Sequence, residues 1–253
     1  MNSLLGLDVS KWQSYINWQT AKDAGVKFAF IKCTQGKTIK DSRFDDNWAG
    51  SHAVGIPRGL YHWFEPEMDA VQQMDWFLAN DQGLGELEHV LDIEDPYNIP
   101  SPTVYAARVK TALEYLTAQT GRKPIIYTRA SYWKVYLYKA MGWADQYKLW
   151  TAHYKEFLGP SCCLPWTPDG WAFWQFTSSG PGPKYGTTSL EVDMNISNGP
   201  IMTPASVAHV LPVIPANTYR LGVDLLSPPT VGDKVEEARW KLYYKNHKNY
   251  RED

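Results

Sequence analysis

Two acidic residues end an apolar segment of the chain, Val90-Leu91-Asp92-Ile93-Glu94-Asp95. In an extended strand alternate side chains point to the same face, so Asp92 and Glu94 would lie side by side with their Cα atoms ~6.6 Å apart. Two neighbouring carboxylates repel each other, and one of them is pushed to keep its proton near neutral pH. This arrangement suits general acid catalysis on a glycosidic bond.

Two further segments run through apolar residues into an acid, Leu4-Leu5-Gly6-Leu7-Asp8 and Leu190-Glu191-Val192-Asp193. Each single acid has an alternative explanation, because a carboxylate at a strand end can cap the next helix or accept hydrogen bonds from loop amides. Three such segments in one chain, beside many aromatic residues, favour a shared site. The candidate catalytic residues are therefore Asp8, Asp92, Glu94 and Asp193.

Short apolar strands alternate with amphipathic helices as far as residue 200. Strands are predicted at Leu4–Val9, Val26–Cys33, Gly59–Phe64, Glu88–Glu94, Pro124–Thr128, Lys148–His153, Trp171–Phe176 and Leu190–Met194. Helices are predicted from Asn17 to Gly25, over Arg43–Val54 and Asp69–Asn80, and from Ser101-Pro102 to Gln119, with Gly121 just past the end.

This alternation predicts an α/β fold with a parallel sheet, and about eight strands indicate a closed barrel. The segment from Leu149 to Met194 leaves little room for helices, so the second half of the barrel should be irregular. In barrels of this type the site lies at the C-terminal ends of the strands. The residues that fall at or near such ends are Asp8, Tyr61, Asp92, Glu94, Tyr127 and Asp193.

Composition narrows the class of protein. A chain of 253 residues can bury one large core, and barrels of this length are commonly single domains. The net charge of −2 argues against a nucleic-acid binder that depends on phosphate contacts. Twelve Trp and sixteen Tyr are unusually many. Most would fill the core, and the remainder would suit the apolar faces of sugar rings.

Cysteine, histidine and the first residues add further expectations. Cys33, Cys162 and Cys163 do not form a disulfide framework, which indicates folding in a reducing cytoplasm. The six histidines form no metal-binding motif, so neither a metal nor another cofactor is expected. Met1-Asn2-Ser3-Leu4-Leu5 has no basic segment before an apolar one, which predicts that no signal peptide is present. No stretch is long enough to insert into a membrane.

The chain changes character after Pro200, which divides it into a barrel of residues 1–202 and an extension of residues 203–253. Residues 202–215 read as a proline-containing linker, and residues 231–250 have apolar positions at helical spacing. The segment from Arg239 to Arg251, both included, contains five basic residues and no acid. We expect this helix to dock on the barrel; the alternative is an anchor for an anionic cell-wall polymer.

Seven short motifs follow one another over roughly residues 4–198. They are Asp8-Val9-Ser10-Lys11-Trp12-Gln13, Phe30-Ile31-Lys32-Cys33-Thr34-Gln35-Gly36, Gly59-Leu60-Tyr61-His62-Trp63, Leu91-Asp92-Ile93-Glu94, Ile126-Tyr127-Thr128, Trp174-Gln175-Phe176 and Val192-Asp193-Met194-Asn195. In this order they resemble the glycoside hydrolase family 25 lysozymes, the Chalaropsis-type N-acetylmuramidases of bacteria and phages. One departure is Gln35, where the family usually has Glu.

The resemblance implies an irregular, TIM-like β/α barrel that cleaves the β-1,4 bond between N-acetylmuramic acid and N-acetylglucosamine in peptidoglycan. It implies that Glu94 is the general acid and that Asp92 orients or stabilises the substrate N-acetyl group. Asp8 and Asp193 would line the opposite wall and tune Glu94 or stabilise the oxocarbenium-like charge. The expected substrate-binding residues are Tyr61, Trp63, Tyr127, Trp174 and Gln35.

Two alternatives remain open: a chitinase-like glycosidase on the same barrel, whose motif also ends in Asp-x-Glu, and a non-catalytic glycan-binding barrel. A cell-wall enzyme made in the cytoplasm without a signal peptide needs another exit, which leads us to expect a phage endolysin released through a holin. A secreted enzyme with its signal removed would have the same sequence. We expect a monomer that acts on the bacterial cell wall.

Overall fold

The computed structural model describes residues 3–154 and 159–201, which include nine strands and five α-helices. The strands are β1 (Leu5–Val9), β2 (Phe28–Gln35), β3 (Ile39–Lys40), β4 (Arg58–Trp63), β5 (Val90–Asp92), β6 (Ile125–Arg129), β7 (Leu149–Ala152), β8 (Trp171–Pro181) and β9 (Glu191–Ser197). The helices are α1 (Trp18–Asp23), α2 (Phe44–Ala53), α3 (Ala70–Asn80), α4 (Pro102–Thr120) and α5 (Ala130–Tyr136).

Eight of these strands form a closed barrel in the order β1-β9-β8-β7-β6-β5-β4-β2, and pairing of β1 with β2 closes it. The two-residue strand β3 pairs with the end of β2 outside the ring. The predicted α/β barrel is confirmed.

The prediction of parallel strands is wrong for the last strand. Each neighbouring pair among β1, β2 and β4 to β8 is parallel. Strand β9 is antiparallel to both β8 and β1. The physical reason is the short connection from Pro181 to Glu191, which includes only the 3-10 helix Gly182–Tyr185. A parallel crossover needs a dozen or more residues, so the chain turns back.

Side chains of the strands alternate between two apolar layers. The barrel interior below the site is filled by a cluster that includes Phe28, Phe30, Val90, Ile125 and Phe173. The opposite faces of the strands pack against the helices in a larger cluster. Gly6 shows how tightly the interior is filled: a Cβ there would lie 2.3 Å from the ring of Phe28. The floor beneath the site is therefore solid and apolar.

Helix ends agree with their predicted signals. The side chain of Asn17 accepts a hydrogen bond from the Thr20 amide at 3.0 Å and begins α1. Asp69 caps α3 in the same way. Pro102 is the first residue of α4, and Gly121 ends it in the left-handed conformation with φ of 69°.

The structure also differs from the predicted elements. Strand β5 is shorter than predicted and ends at Asp92, so Glu94 lies in the segment that follows it. Strand β3 and helix α5 were not predicted, because two and seven residues are too short to show a reliable period. Residues 159–170 contain no α-helix, which agrees with the expected irregular second half.

The structure bears on the predicted absence of a membrane segment, but it does not describe the C-terminal extension. Over the described part of the chain, no helix combines the length and apolar character needed to cross a membrane. The linker and helix predicted within residues 203–253 lie outside the described residues.

Candidate active site

A pocket of about 240 Å³ opens where the parallel strands end. It is lined by Asp8, Ser10, Trp12, Gln13, Lys32, Tyr61, Trp63, Asp92, Glu94, Tyr127, Trp150, Tyr154, Gln175 and Asp193. All four predicted carboxylates are in this set, although they are far apart in sequence. The barrel thus brings the candidate catalytic residues to one place, as expected for strand ends in such a fold.

Backbone hydrogen bonds fix the segment that presents Glu94. The Ile93 amide donates to the carbonyl of Tyr127 at 2.9 Å, and the hydroxyl of Thr128 donates to the carbonyl of Ile93 at 2.8 Å. The amide and the carbonyl of Ile93, the residue before Glu94, are therefore both hydrogen-bonded to residues of β6. Asp92 and Glu94 both reach the pocket even though the strand ends between them.

Glu94 is mostly buried, and only 16% of its side chain is exposed. Burial raises the pKa of Glu94, and the guanidinium of Arg129, 3.2 Å away, opposes that shift. Lys32 opposes it further, while Asp95 adds to it. The result is a carboxyl that keeps its proton more readily than an exposed glutamate and has a cation beside it.

Asp92 is buried more deeply than Glu94. Burial raises the pKa of Asp92 well above its ordinary value, the charge of Glu94 raises it further, and Lys32 opposes the change. Its Oδ1 is buried and has no hydrogen-bond partner in the described part of the chain. A buried, unpaired carboxyl oxygen is costly, so this atom is available for a substrate group that donates a hydrogen bond.

Asp8 and Asp193 face each other across the β1–β9 pair, where they are direct register partners. Side chains at such positions have Cβ atoms ~5 Å apart. The prediction that Asp193 lies at the carboxyl end of its strand is wrong, since it is the third residue of an antiparallel strand. It reaches the same edge because the start of β9 lies beside the end of β1.

These two carboxyls have different environments. Burial raises the pKa of Asp8 to about 6, and hydrogen bonds from Asn195 and Gln175 oppose the shift. Burial raises the pKa of Asp193 to about 9, and the negative charges of Asp8 and Glu94 add to it. At neutral pH, Asp193 therefore keeps its proton while Asp8 is largely ionised.

Aromatic side chains form the walls and rim. Tyr61 and Tyr127 line the pocket as predicted, but they are only 9% and 5% exposed and present little ring surface. Trp63 is half-buried, and the ammonium of Lys32 lies 4.9 Å from its ring centre. Trp12 and Tyr154 are exposed at the rim, at 74% and 47%. The accessible aromatic surface is thus largely on Trp12, Trp63 and Tyr154.

Two predicted substrate-binding residues do not line the pocket. Trp174 is 7% exposed, and its indole N–H donates to the carbonyl of His153 at 2.7 Å. Because its neighbour Gln175 points into the barrel, Trp174 points out of it. Gln35 accepts a hydrogen bond from Lys32 and donates one to Glu65, each at 3.0 Å. The Gln35 amide therefore contacts the half-buried Lys32 from outside the pocket.

Several site residues were missed by the sequence reasoning, although strand alternation contains a signal for some of them. Lys32 continues the inward face of Phe28 and Phe30, and Asn195 follows Asp193 by two positions on β9. Trp12 lies inside a quoted motif, in a 3-10 helix whose capping box joins Ser10 and Gln13. Arg129, Trp150 and Tyr154 had no such signal, because their contacts depend on the tertiary fold.

The pocket thus combines a carboxyl of raised pKa beside a cation, an ionised carboxylate opposite and aromatic rings at the rim. This arrangement can donate a proton to a leaving oxygen and stabilise positive charge on a sugar ring. Residues 3–154 and 159–201 contain no cluster of His, Cys, Asp and Glu placed to bind a metal ion.

Comparisons with known proteins agree with this chemistry. The family profile of Glycosyl hydrolases family 25 matches residues 7–184. The chain is 35% identical over 209 residues to Lysozyme M1 of Streptomyces globisporus, an alignment that covers 77% of this chain and 67% of the relative.

Solved structures of lysozymes and endolysins are also similar to this chain. A bacterial lysozyme from Streptomyces coelicolor superposes with a TM-score of 0.71 and 34% identity, covering 79% of this chain and 94% of that one. The catalytic domain of endolysin ply40, from bacteriophage P40 of Listeria monocytogenes, superposes with a TM-score of 0.58 and 26% identity. That match covers 78% of this chain and 94% of the endolysin domain.

Proposed function

Because this chain belongs to glycosyl hydrolase family 25 and is a lysozyme that hydrolyses peptidoglycan, we propose that Glu94 is its general acid. The observation that supports this role is the placement of Glu94 in one pocket with three other carboxyls, where burial raises its pKa. A glutamic acid whose pKa is raised keeps its proton more readily and can donate it to the glycosidic oxygen.

The proposed reaction is the hydrolysis of the β-1,4 bond between N-acetylmuramic acid and N-acetylglucosamine. Glu94 donates its proton as the bond between the anomeric carbon and the leaving oxygen breaks. The anomeric carbon acquires oxocarbenium-like positive charge, which the ionised Asp8 on the opposite wall stabilises. Water then replaces the leaving group, and Glu94 takes a proton from that water and returns to its starting state.

Asp92 is proposed to position the N-acetyl group next to the bond that breaks. Its buried and unpaired Oδ1 supports this role, because an acetamide N–H would give that oxygen the hydrogen bond it lacks. Asp193 is proposed to act as a neutral neighbour of Asp8 rather than as a second charge.

Product analysis tests which bond is cut. Purified peptidoglycan is digested, reduced with borohydride and examined by mass spectrometry, with Glu94→Gln as the matched inactive control. New reducing ends on N-acetylmuramic acid support the proposal. New reducing ends on N-acetylglucosamine, or equal release of dye from labelled chitin, would support the chitinase-like alternative. Binding without any cleavage would support the glycan-binding alternative.

We further propose that the enzyme serves as a phage endolysin that depends on a holin for access to the wall. The likeness to the endolysin ply40 catalytic domain supports this role. The higher identity to Lysozyme M1 of Streptomyces globisporus favours a bacterial lysozyme as the second candidate. Expression of this chain in a bacterial host tests the holin dependence: cells should lyse only when a holin is co-expressed. Lysis without a holin would contradict the proposal.

The enzyme is also proposed to act as a monomer. Size-exclusion chromatography with light scattering should give a mass near 28.9 kDa. A concentration-independent dimer mass would contradict this expectation.

A further inference from the structure

The carboxylate of Asp8 is bound by two side-chain amides. Gln175 Nε2 and Asn195 Nδ2 each donate to Asp8 Oδ2 at 2.8 Å. These residues come from β8 and β9, so the two strands that complete the barrel jointly determine the position of one carboxylate oxygen. All three side chains are buried.

The orientation of the Asn195 amide is fixed by its other neighbour. Asn195 Oδ1 accepts a hydrogen bond from the indole N–H of Trp150 at 2.8 Å. An indole nitrogen is a donor only, so it requires the oxygen end of the amide. The NH₂ end must therefore face Asp8. Trp150 is itself fixed in the barrel interior, where it stacks on Phe30 with ring centres 4.4 Å apart.

The oxygen end of the Gln175 amide is held by two phenols. The hydroxyls of Tyr127 and Tyr154 donate to Gln175 Oε1 at 2.8 and 2.7 Å. An oxygen that receives two hydroxyl protons leaves the NH₂ end of the amide directed at Asp8. Both amides thus present donors to Asp8. The orientation of Asn195 is imposed by a partner that can only donate, whereas the phenols at Gln175 could also accept hydrogen bonds.

The opposing carboxyl has no comparable support. No described side chain donates a hydrogen bond to Asp193, although it lies directly across the strand pair from Asp8. Donors that point at a carboxylate favour its charged form, and two adjacent carboxyls do not readily ionise together. The two amides therefore decide which member of the pair has the charge. Glu94, Asp92, Lys32 and Tyr61 also face this pair, and none of them donates a hydrogen bond to Asp8.

We propose that Gln175 and Asn195 are positioning residues that keep Asp8 as the ionised member of the Asp8–Asp193 pair. Trp150 selects the orientation of the Asn195 amide that does so, and Tyr127 and Tyr154 hold the oxygen end of Gln175. This inference rests on the proposed function, because it requires an ionised Asp8 opposite the acid. It adds to that function five side chains that touch neither the proton donated by Glu94 nor the bond that breaks.

Two variants test the inference through the pH profile of kcat/KM. Asn195→Asp replaces a donor with a group that repels the charge of Asp8. Losing a hydrogen bond to a charged group should move the acidic limb of the profile upward by about one to two pH units. Trp150→Phe leaves the Asp8 contacts in place but removes the donor that orients Asn195. Its acidic limb should move in the same direction by a smaller amount.

A matched control separates this effect from loss of packing. Trp133 is a second buried tryptophan, in α5, and its indole N–H has no hydrogen-bond partner in the described part of the chain. Trp133→Phe removes a similar volume and should leave the acidic limb unchanged. Both test variants should regain most of the wild-type rate at higher pH, because Asp8 then ionises even without the hydrogen bond from Asn195.

Each outcome has a distinct meaning. A uniform loss of rate at every pH, with no movement of the acidic limb, would overturn the inference and leave Asn195 and Trp150 with a structural role. If Asn195→Asp does not fold, Trp150→Phe decides the question alone. Failure of the proposed function looks different: Glu94→Gln would then stay active, or the wild-type protein would not cut peptidoglycan.

Discussion

Replacing Asp193 with asparagine is expected to stabilise the protein, and the gain should grow as the pH rises. The folded protein raises the pKa of Asp193 to about 9, from 3.8 in an unperturbed carboxyl. Between those values the folded state keeps a proton that the unfolded state releases. The contribution of Asp193 to the free energy of unfolding therefore falls as the pH rises from about 4 to about 9.

The size of the effect follows from one proton. A group protonated only in the folded state changes the free energy of unfolding by about 1.4 kcal/mol per pH unit. Asp193→Asn removes that dependence and keeps a neutral side chain of the same shape. Between pH 5 and pH 7 the variant should gain about 3 kcal/mol over the wild type. In a chain of this length that gain corresponds to a difference in Tm of about 5 to 10 °C.

Urea unfolding at pH 5, 6, 7 and 8 measures this difference directly. Asp145→Asn is the matched control, because it makes the same substitution at an exposed position. The control should follow the wild type at every pH, while the curve for Asp193→Asn diverges from it. A constant difference between Asp193→Asn and the wild type across this range would refute the reasoning, since it would mean that Asp193 is already ionised in the folded state.

Activity measurements should separate the residues of the pocket. Asp8→Asn should lower kcat at least about 100-fold, because it removes a charge opposite the bond that breaks, whereas Asp193→Asn should stay within about tenfold of the wild type; equal losses would contradict the assignment of the charge to Asp8. Arg129→Gln should extend activity to higher pH, because removing the cation 3.2 Å from Glu94 raises the pKa of that acid; a basic limb that stays in place or moves to lower pH would argue against the pairing. Trp12→Ala should raise KM roughly two- to tenfold with little change in kcat, as expected for an exposed ring that contacts a sugar; an unchanged KM would remove Trp12 from the binding surface.

Much of the barrel could be predicted because local patterns agree with the tertiary fold. Apolar strands covered on both faces, the caps at Asn17 and Asp69, and the Pro102 and Gly121 ends of α4 each follow from a few neighbouring residues. The direction of β9 could not be predicted in this way. Its sequence is compatible with either direction, and only the length of the connection from β8 decides between them.

In the candidate site, too, local sequence predicts some residues, and others depend on the tertiary fold. The four carboxylates were found because they lie where apolar segments of the sequence end, and the fold places them together. The difference between Asp8 and Asp193 was not predictable, since it depends on amides that arrive from β8 and β9. Trp174 was misplaced for a related reason: a strand has two faces, and its motif alone does not show which one is inside.

The most direct test of the central claim is the turnover of peptidoglycan by Glu94→Gln at the pH optimum of the wild type. An amide keeps the shape of the side chain but has no proton to donate, so kcat should fall at least about 100-fold while the protein stays folded. Glu114→Gln, an exposed change on α4, is the matched control and should turn over at the wild-type rate. A folded Glu94→Gln protein that retains more than about a tenth of the wild-type rate would show that Glu94 is not the general acid.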